Sequence, residues 1–303
     1  MRGERAVAPK RTGKVRDIVA ANIGAFFEWY DLLVYALFAL PIARLFFPSD
    51  DPQTALLFSF LTFASSYLIR PVGAVLLGIY ADKKGRKAAL SLTATLMLIG
   101  TALMALIPTY ASIGALAPVA LVAGRLLQGF SAGGEFGTAN SYLTEQNPRL
   151  KSFLASLQFS TTGLALVVSA LFAYLINHYL SDAQIDSWGW RLPFLFGCLI
   201  GPVALYIRFK IDETPEFDEA KAQRAAPLRE TFRLHKRYLL LGALIVAAGN
   251  VASYLNIYMP TFAINNLGIS RDDAFVASIC SGLVCTFLPM LGGLAADRFG
   301  AVK

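Results

Sequence analysis

The sequence predicts an all-α protein that crosses a membrane many times. Three observations carry that expectation. The chain of 303 residues is 56% hydrophobic and only 16% charged, with a mean hydropathy of +0.54, whereas a soluble domain runs near 45–50% apolar and about 25% charged. Soluble cores stop growing at roughly 250–300 residues and still need a charged surface, so the excess apolar surface must face lipid. The apolar residues also come in runs of the length, about 20 residues, that a helix needs to cross hydrocarbon. Finally, the charges are confined to short segments between those runs. This composition excludes a disordered chain, a secreted disulfide scaffold and nearly every soluble enzyme class.

The runs fall at residues 18–46, 54–80, 88–107, 113–143, 153–180, 190–209, 238–264 and 274–296, giving eight expected spans. The first is too long for the apolar region of a cleavable signal peptide and lacks a small-residue cleavage site. Between the sixth and seventh runs, residues 210–237 mix six acidic side chains with many Lys and Arg and include Pro215 and Pro227. That segment is too polar to span and is expected to be a cytoplasmic linker. The organisation expected is a basic tail at 1–17, a six-helix half at 18–209, the linker at 210–237 and a two-helix portion at 238–303.

The net charge of +7 would suit nucleic acid only if it were gathered on one surface. Instead, most Lys and Arg lie in the tail, at 83–87, at 149–151 and in the linker, alternating with connections at 48–53, 108–112 and 181–187 that are acidic or nearly uncharged. Such alternation is the positive-inside pattern, and it predicts a cytoplasmic N-terminus rather than a nucleic-acid partner. Cys198, Cys280 and Cys285 form no CxxC pair and are read as small core residues. His178 and His235 have no metal-ligand spacing, and no phosphate loop or nucleophile elbow occurs, so neither a cofactor nor an enzymatic reaction is expected.

One motif occurs twice. GIYADKKGRK at 78–87, with Gly78, Asp82, Gly85 and Arg86, is matched by GLAADRFG at 293–300, with Gly293, Asp297 and Arg298. The repeat predicts two homologous halves, of which the second reaches only two spans and would need four more for completion. Within each copy the glycine is expected to let helices approach, and the aspartate to cap a helix or meet its positive N-terminal end. The basic residue can bridge to an acid.

These residues resemble the major facilitator superfamily of secondary transporters, in the motif at 78–87 and in RLLQG at 125–129. The phrases EWYD at 28–31, LIRPVG at 68–73, GFSAGGEFG at 129–137, WGWRLPF at 188–194 and DETPE at 212–216 are similar to the metabolite:proton symporter group, carriers of citrate, alpha-ketoglutarate, shikimate and proline or betaine. The resemblance covers about 15–300. It implies a major-facilitator-type helical bundle in the inner (plasma) membrane, a small organic substrate, protons as the coupling ion, and a role for the repeated motif in latching one conformation.

Charged groups inside a span cost about 2.5–3.5 kcal/mol each on insertion scales and mark functional positions. Glu28, Asp31, Arg70, Arg125 and Glu135 are the candidates. Arg125 lies roughly 18 Å into its helix, near mid-membrane, at 1.5 Å per residue, and Glu28 and Arg70 come out at similar depth. Glu28 and Asp31 share one face of the first helix, and Gln128 and Glu135 extend a polar stripe from Arg125. A carboxylate in an apolar cavity favours its protonated form and a nearby cation favours the charged one, the balance a proton symporter needs. The competing reading is a fixed ion pair, Glu28 with Arg70 or Arg125 with Glu135 or an acid elsewhere, that only locks helices. Arg125 can also hold a substrate carboxylate as a fork. Tyr30, Gln158 and Tyr254 are secondary substrate candidates. The function expected is proton symport of a small organic carboxylate, with two alternatives: an osmolyte carrier of the proline/betaine type, or a truncated remnant that transports nothing.

Overall fold

The computed structural model describes residues 15–147, 149–210 and 228–300. Helices α1 (Val15–Leu37), α2 (Ala39–Phe46), α3 (Pro52–Lys84), α4 (Arg86–Leu106), α5 (Tyr110–Ile113) and α6 (Leu116–Gln146) come first. They are followed by α7 (Lys151–Tyr179), α8 (Asp182–Gln184), a π-helical turn (Ile185–Gly189), α9 (Arg191–Gly197), α10 (Ile200–Lys210), α11 (Leu228–Leu267) and α12 (Arg271–Phe299). Six described helical stretches are long and apolar enough to cross a membrane, and seven if a bent pair counts as one span. The long α11 occupies the place of the remaining expected span.

The expected first span is that bent pair: α1 and α2 meet at 67°. Pro41 explains the break, because it has no N–H to donate to Leu37 and its ring crowds that carbonyl. The sixth span is also composite, passing through α8, the π-helical turn, α9 and α10. Its first residues, expected in a loop, are therefore helical. Asp51 starts α3 by accepting from the N–H groups of Gln53 and Thr54 at 3.1 Å, with Pro52 at the first helical position. The Thr54 hydroxyl and these N–H groups hold the Asp51 carboxyl below the usual carboxylate range. At the other end Gly85 turns the chain into α4 with a φ of 102°, a conformation glycine adopts freely.

Small residues set the packing. Cβ atoms on Gly73, Gly129 and Gly133 would run into the backbones of Phe130, Ser66 and Arg70, so α3 and α6 lie backbone against backbone. Gly163, Gly282 and Gly293 do the same between α7 and α12. That second seam packs α12 along α7. It is tied at one end by Arg271 to Asp182 at 2.9 Å and His178 to Asp272 at 2.8 Å, and at the other by Asp297. The core is built on Tyr30, Tyr35, Phe38, Phe46, Trp190 and Phe194, all buried. Outward faces carry large exposed apolar side chains such as Leu61, Leu68, Leu106 and Phe287. Those faces suit lipid.

Three expectations need correction. Cys280 and Cys285 are exposed, and only Cys198 is partly buried, because α12 packs one face on α7 and turns the others outward. Gly78 faces open space rather than a close helix, unlike its counterpart Gly293. The expected linker ends earlier: residues 228–237 already belong to α11. The tail up to residue 14 and residues 211–227 of the linker lie outside the described residues.

Candidate functional site

The charged residues picked out in the spans form two acid–arginine pairs, both starting from α1. Asp31 and Glu28 are each buried, as their three-residue spacing on one inward face requires. The first pair joins Asp31 to Arg125 of α6, with Nη1 to Oδ2 at 3.2 Å. Around it runs a closed ring of hydrogen bonds. Arg125 Nη1 donates to Gln128 Oε1 at 3.0 Å, Gln128 Nε2 donates to the Thr101 hydroxyl at 3.1 Å, and that hydroxyl donates to Asp31 Oδ1 at 3.2 Å. The Arg125 guanidinium also stacks 3.8 Å from the centre of the Tyr35 ring. Each member of the ring is at most 2% exposed. Buried charge is tolerable here because nearly every donor and acceptor is used. Asp31, an acid on a neighbouring helix, pairs with Arg125.

The second pair differs in character. Arg70 of α3 approaches Glu28 at 3.4 Å, and the side chains are 21% and 4% exposed. The contact is not aligned as a hydrogen bond, and Arg70 Nε and Nη2 are buried without a hydrogen-bond partner among the described residues. The guanidinium lies 4.6 Å from the centre of the Tyr67 ring, one helical turn back. Tyr67 in turn meets Phe63 and Tyr254, with ring centres 5.3 and 5.1 Å apart. Tyr254 comes from α11, so this contact joins α3 to α11. Beside it is a cavity walled by Phe60, Phe63, Tyr254 and Tyr258.

Gln158 is buried on α7 with both amide atoms unpartnered among the described residues. It sits about three turns before Ser169, whose hydroxyl donates to the Tyr30 carbonyl, so both lie on the stripe of α7 that faces α1. Tyr30 itself is committed to the core. Its hydroxyl donates to the Pro193 carbonyl at 2.9 Å, and Phe26, Phe172 and Phe196 surround its ring. The side chains of Glu135 and Arg86 lie outside the described residues.

The two motif copies are placed differently. Asp297 accepts from the N–H groups of Ser152 and Phe153, both at 2.9 Å, and so caps the N-terminus of α7 across the seam. Arg298 lies over the Phe299 ring at 5.5 Å. Asp82 is exposed at the end of α3. Thr101, Phe63 and Tyr67 escaped the sequence reading. Thr101 and Phe63 carry no signal in an apolar span, whereas Tyr67 stands three residues before Arg70 and could have been found from that spacing.

A helical bundle with buried, mutually neutralising charges at the centre of its spans is the architecture of a membrane carrier. The profile of the sugar (and other) transporter family matches residues 18–226, and the chain belongs to that family of major facilitator transporters. It is 36% identical to a citrate-proton symporter of Klebsiella pneumoniae over 98% of this chain and 67% of that protein. Identity is 34% to an alpha-ketoglutarate permease of Escherichia coli, over 95% of this chain and 67% of that one. A proline/betaine transporter of Salmonella typhimurium is also 34% identical, over 95% and 61%. The chain thus spans roughly two thirds of the length of these relatives. Among solved structures, a proton:xylose symporter of the major facilitator superfamily, bound to 6-bromo-6-deoxy-D-glucose, superposes with a TM-score of 0.75 at 18% identity, over 94% of this chain and 69% of that one.

Proposed function

We propose that the protein moves a small organic carboxylate, of the citrate or alpha-ketoglutarate type, together with protons, by alternating access across the inner membrane with its N-terminus in the cytoplasm. The observation that carries this reading is the presence of two acid–arginine pairs, Glu28 with Arg70 and Asp31 with Arg125, buried at the centre of the spans. Each acid can take a proton only when its arginine is otherwise engaged, and Arg70, in the open pair, can receive a carboxylate. Gln128 holds the second pair in register, Gln158 and Tyr254 are the neutral polar groups nearest a substrate path, and Tyr30 braces the wall. Glu135 extends the same stripe toward the cytoplasmic end. In the motif copies, Gly85 shapes the turn between α3 and α4, and the Asp297 cap latches the cytoplasmic end of the seam. Asp82 and Arg86 serve the matching position of the first copy.

The aromatic cavity beside Tyr254 favours one second reading, a proline or betaine carrier, because a quaternary or secondary ammonium binds well against ring faces. Counterflow of labelled citrate, alpha-ketoglutarate, proline and betaine in proteoliposomes separates the two readings. Exchange of a carboxylate that accelerates when a proton gradient is imposed supports the first. Exchange of proline or betaine alone replaces it with the second, and uptake indifferent to the gradient removes proton coupling.

A further inference from the structure

The two charged pairs differ in a way that separates their tasks. The Asp31–Arg125 ring is closed, with Thr101 and Gln128 completing it, and leaves Arg125 Nε as its one nitrogen without a partner among the described residues. The Glu28–Arg70 pair is open. Arg70 Nε is buried without a hydrogen-bond partner among the described residues, Nη2 reaches only Glu28 at 3.4 Å without hydrogen-bond alignment, and the Tyr67 hydroxyl has only Tyr254 beside it, although buried polar atoms in native proteins are nearly always satisfied. One turn of α3 therefore gathers an unmet guanidinium N–H, a second one loosely held by Glu28 and a phenol hydroxyl, and a carboxylate is the ligand that satisfies a fork of that kind. Gly133 seats α6 directly on the Arg70 backbone, which fixes where the fork is held.

We infer that Arg70 and Tyr67 form the carboxylate subsite, and that an incoming carboxylate displaces Glu28 from Arg70, whereupon Glu28 takes up one proton from water. This inference rests on the carboxylate reading above and goes further, by naming the subsite and the coupling step. Before exchange, the site holds one positive and one negative charge. Afterwards Arg70 is paired with one carboxylate of the substrate and Glu28 is neutral, so the Arg70 subsite again carries no net charge. No covalent bond between heavy atoms forms or breaks; only the proton moves, from solvent to Glu28. Without that proton, a second anion would be buried beside a single cation, at a cost the low-dielectric interior makes prohibitive.

Few other charged or titratable groups on the helices around α1 bear on Glu28. Asp31 and Arg125 are committed to each other, Tyr67 and Tyr254 lie beyond Arg70, and Tyr206 is on α10. Among the described residues, Arg70 is the cation within ion-pair distance of Glu28.

The test is calorimetric binding of the fully ionised alpha-ketoglutarate dianion to the full chain in lipid nanodiscs, in two buffers of different ionisation enthalpy, which counts protons taken up per ligand. The wild type is expected to take up close to one proton. Glu28→Gln, which removes the anion the carboxylate must displace, should bind more tightly than wild type and with no linked proton. Tyr67→Phe should weaken binding roughly tenfold, the loss of one hydrogen bond to a charged group, and leave the proton count unchanged. Proton uptake in Glu28→Gln equal to wild type would falsify the exchange while leaving the carrier reading intact, as would unaltered affinity in Tyr67→Phe. Failure of the wild type to bind any carboxylate, with betaine or proline bound instead, overturns the carboxylate reading and the exchange together.

Discussion

Arg125 is a fully buried cation in the middle of a membrane span, and it is stable there because Asp31 and Gln128 both accept from its Nη1 while the Tyr35 ring lies against the guanidinium. Removing one partner of such a pair strands the other charge. Arg125→Ala is expected to lower stability by about 3–5 kcal/mol, read as a large fall in the thermal midpoint in detergent. In lipid vesicles, Asp31→Asn, which keeps the shape, is expected to fold yet lose proton-coupled uptake. Unimpaired coupled uptake in that variant would remove Asp31 from the mechanism. Thr101→Val is nearly isosteric but leaves Gln128 Nε2 and Asp31 Oδ1 each short of a partner. A loss of about 1–3 kcal/mol is expected from the same melting measurement. The acids and arginines were legible as candidates because ionised groups are so costly in hydrocarbon that each one in a span stands out. Thr101 was not, since a hydroxyl can satisfy itself on its own helix and an isolated Thr looks like any other span residue.

At the scale of elements, glycines decide which helices touch. Gly129 faces the Ser66 backbone across the α3–α6 seam, while Gly78 faces open space. Gly129→Ala is therefore expected to cost about 1–3 kcal/mol by overpacking, with Gly78→Ala close to neutral. Melting curves of the two variants side by side check this, and equal effects would mean that the seam is looser than the described backbone contact. The sequence presents both glycines in similar apolar surroundings. Nothing in their neighbours along the chain says which one meets another helix. The bend after Leu37 was legible in principle, because Pro41 sits inside the first apolar run. The length of that run concealed it, since one long helix and two short ones have the same composition.

For the molecule as a whole, the charge pattern of the polar segments argues for a defined orientation. Single cysteines placed at Ser49 and at Lys84, in a background without Cys198, Cys280 and Cys285, should label from opposite sides. The impermeant thiol reagent is expected to reach position 49 in intact cells and position 84 only after the membrane is opened. Labelling of both from the same side would overturn the orientation. The α7–α12 seam packs α12 along α7, with Asp297 capping α7 at one end and the Arg271 and Asp272 pairs at the other. Asp297→Asn keeps an acceptor but loses the negative charge at a helix N-terminus, so the capped end should open more readily. Cross-linking between cysteines at Ser152 and Arg298 should then fall.

What the amino-acid order determined by itself was the environment: a chain this apolar, with basic and acidic connections in alternation, has to be a stack of helices in a bilayer, and its few buried charges have to be the interesting ones. Local composition settles those matters because burial in lipid acts on each run separately. Only the tertiary structure decided which acid meets which arginine, and that one pair is sealed while the other is left open. Pairing depends on contacts between residues as far apart as Asp31 and Arg125, and the sealing depends on a threonine and an aromatic ring supplied by other turns and other helices.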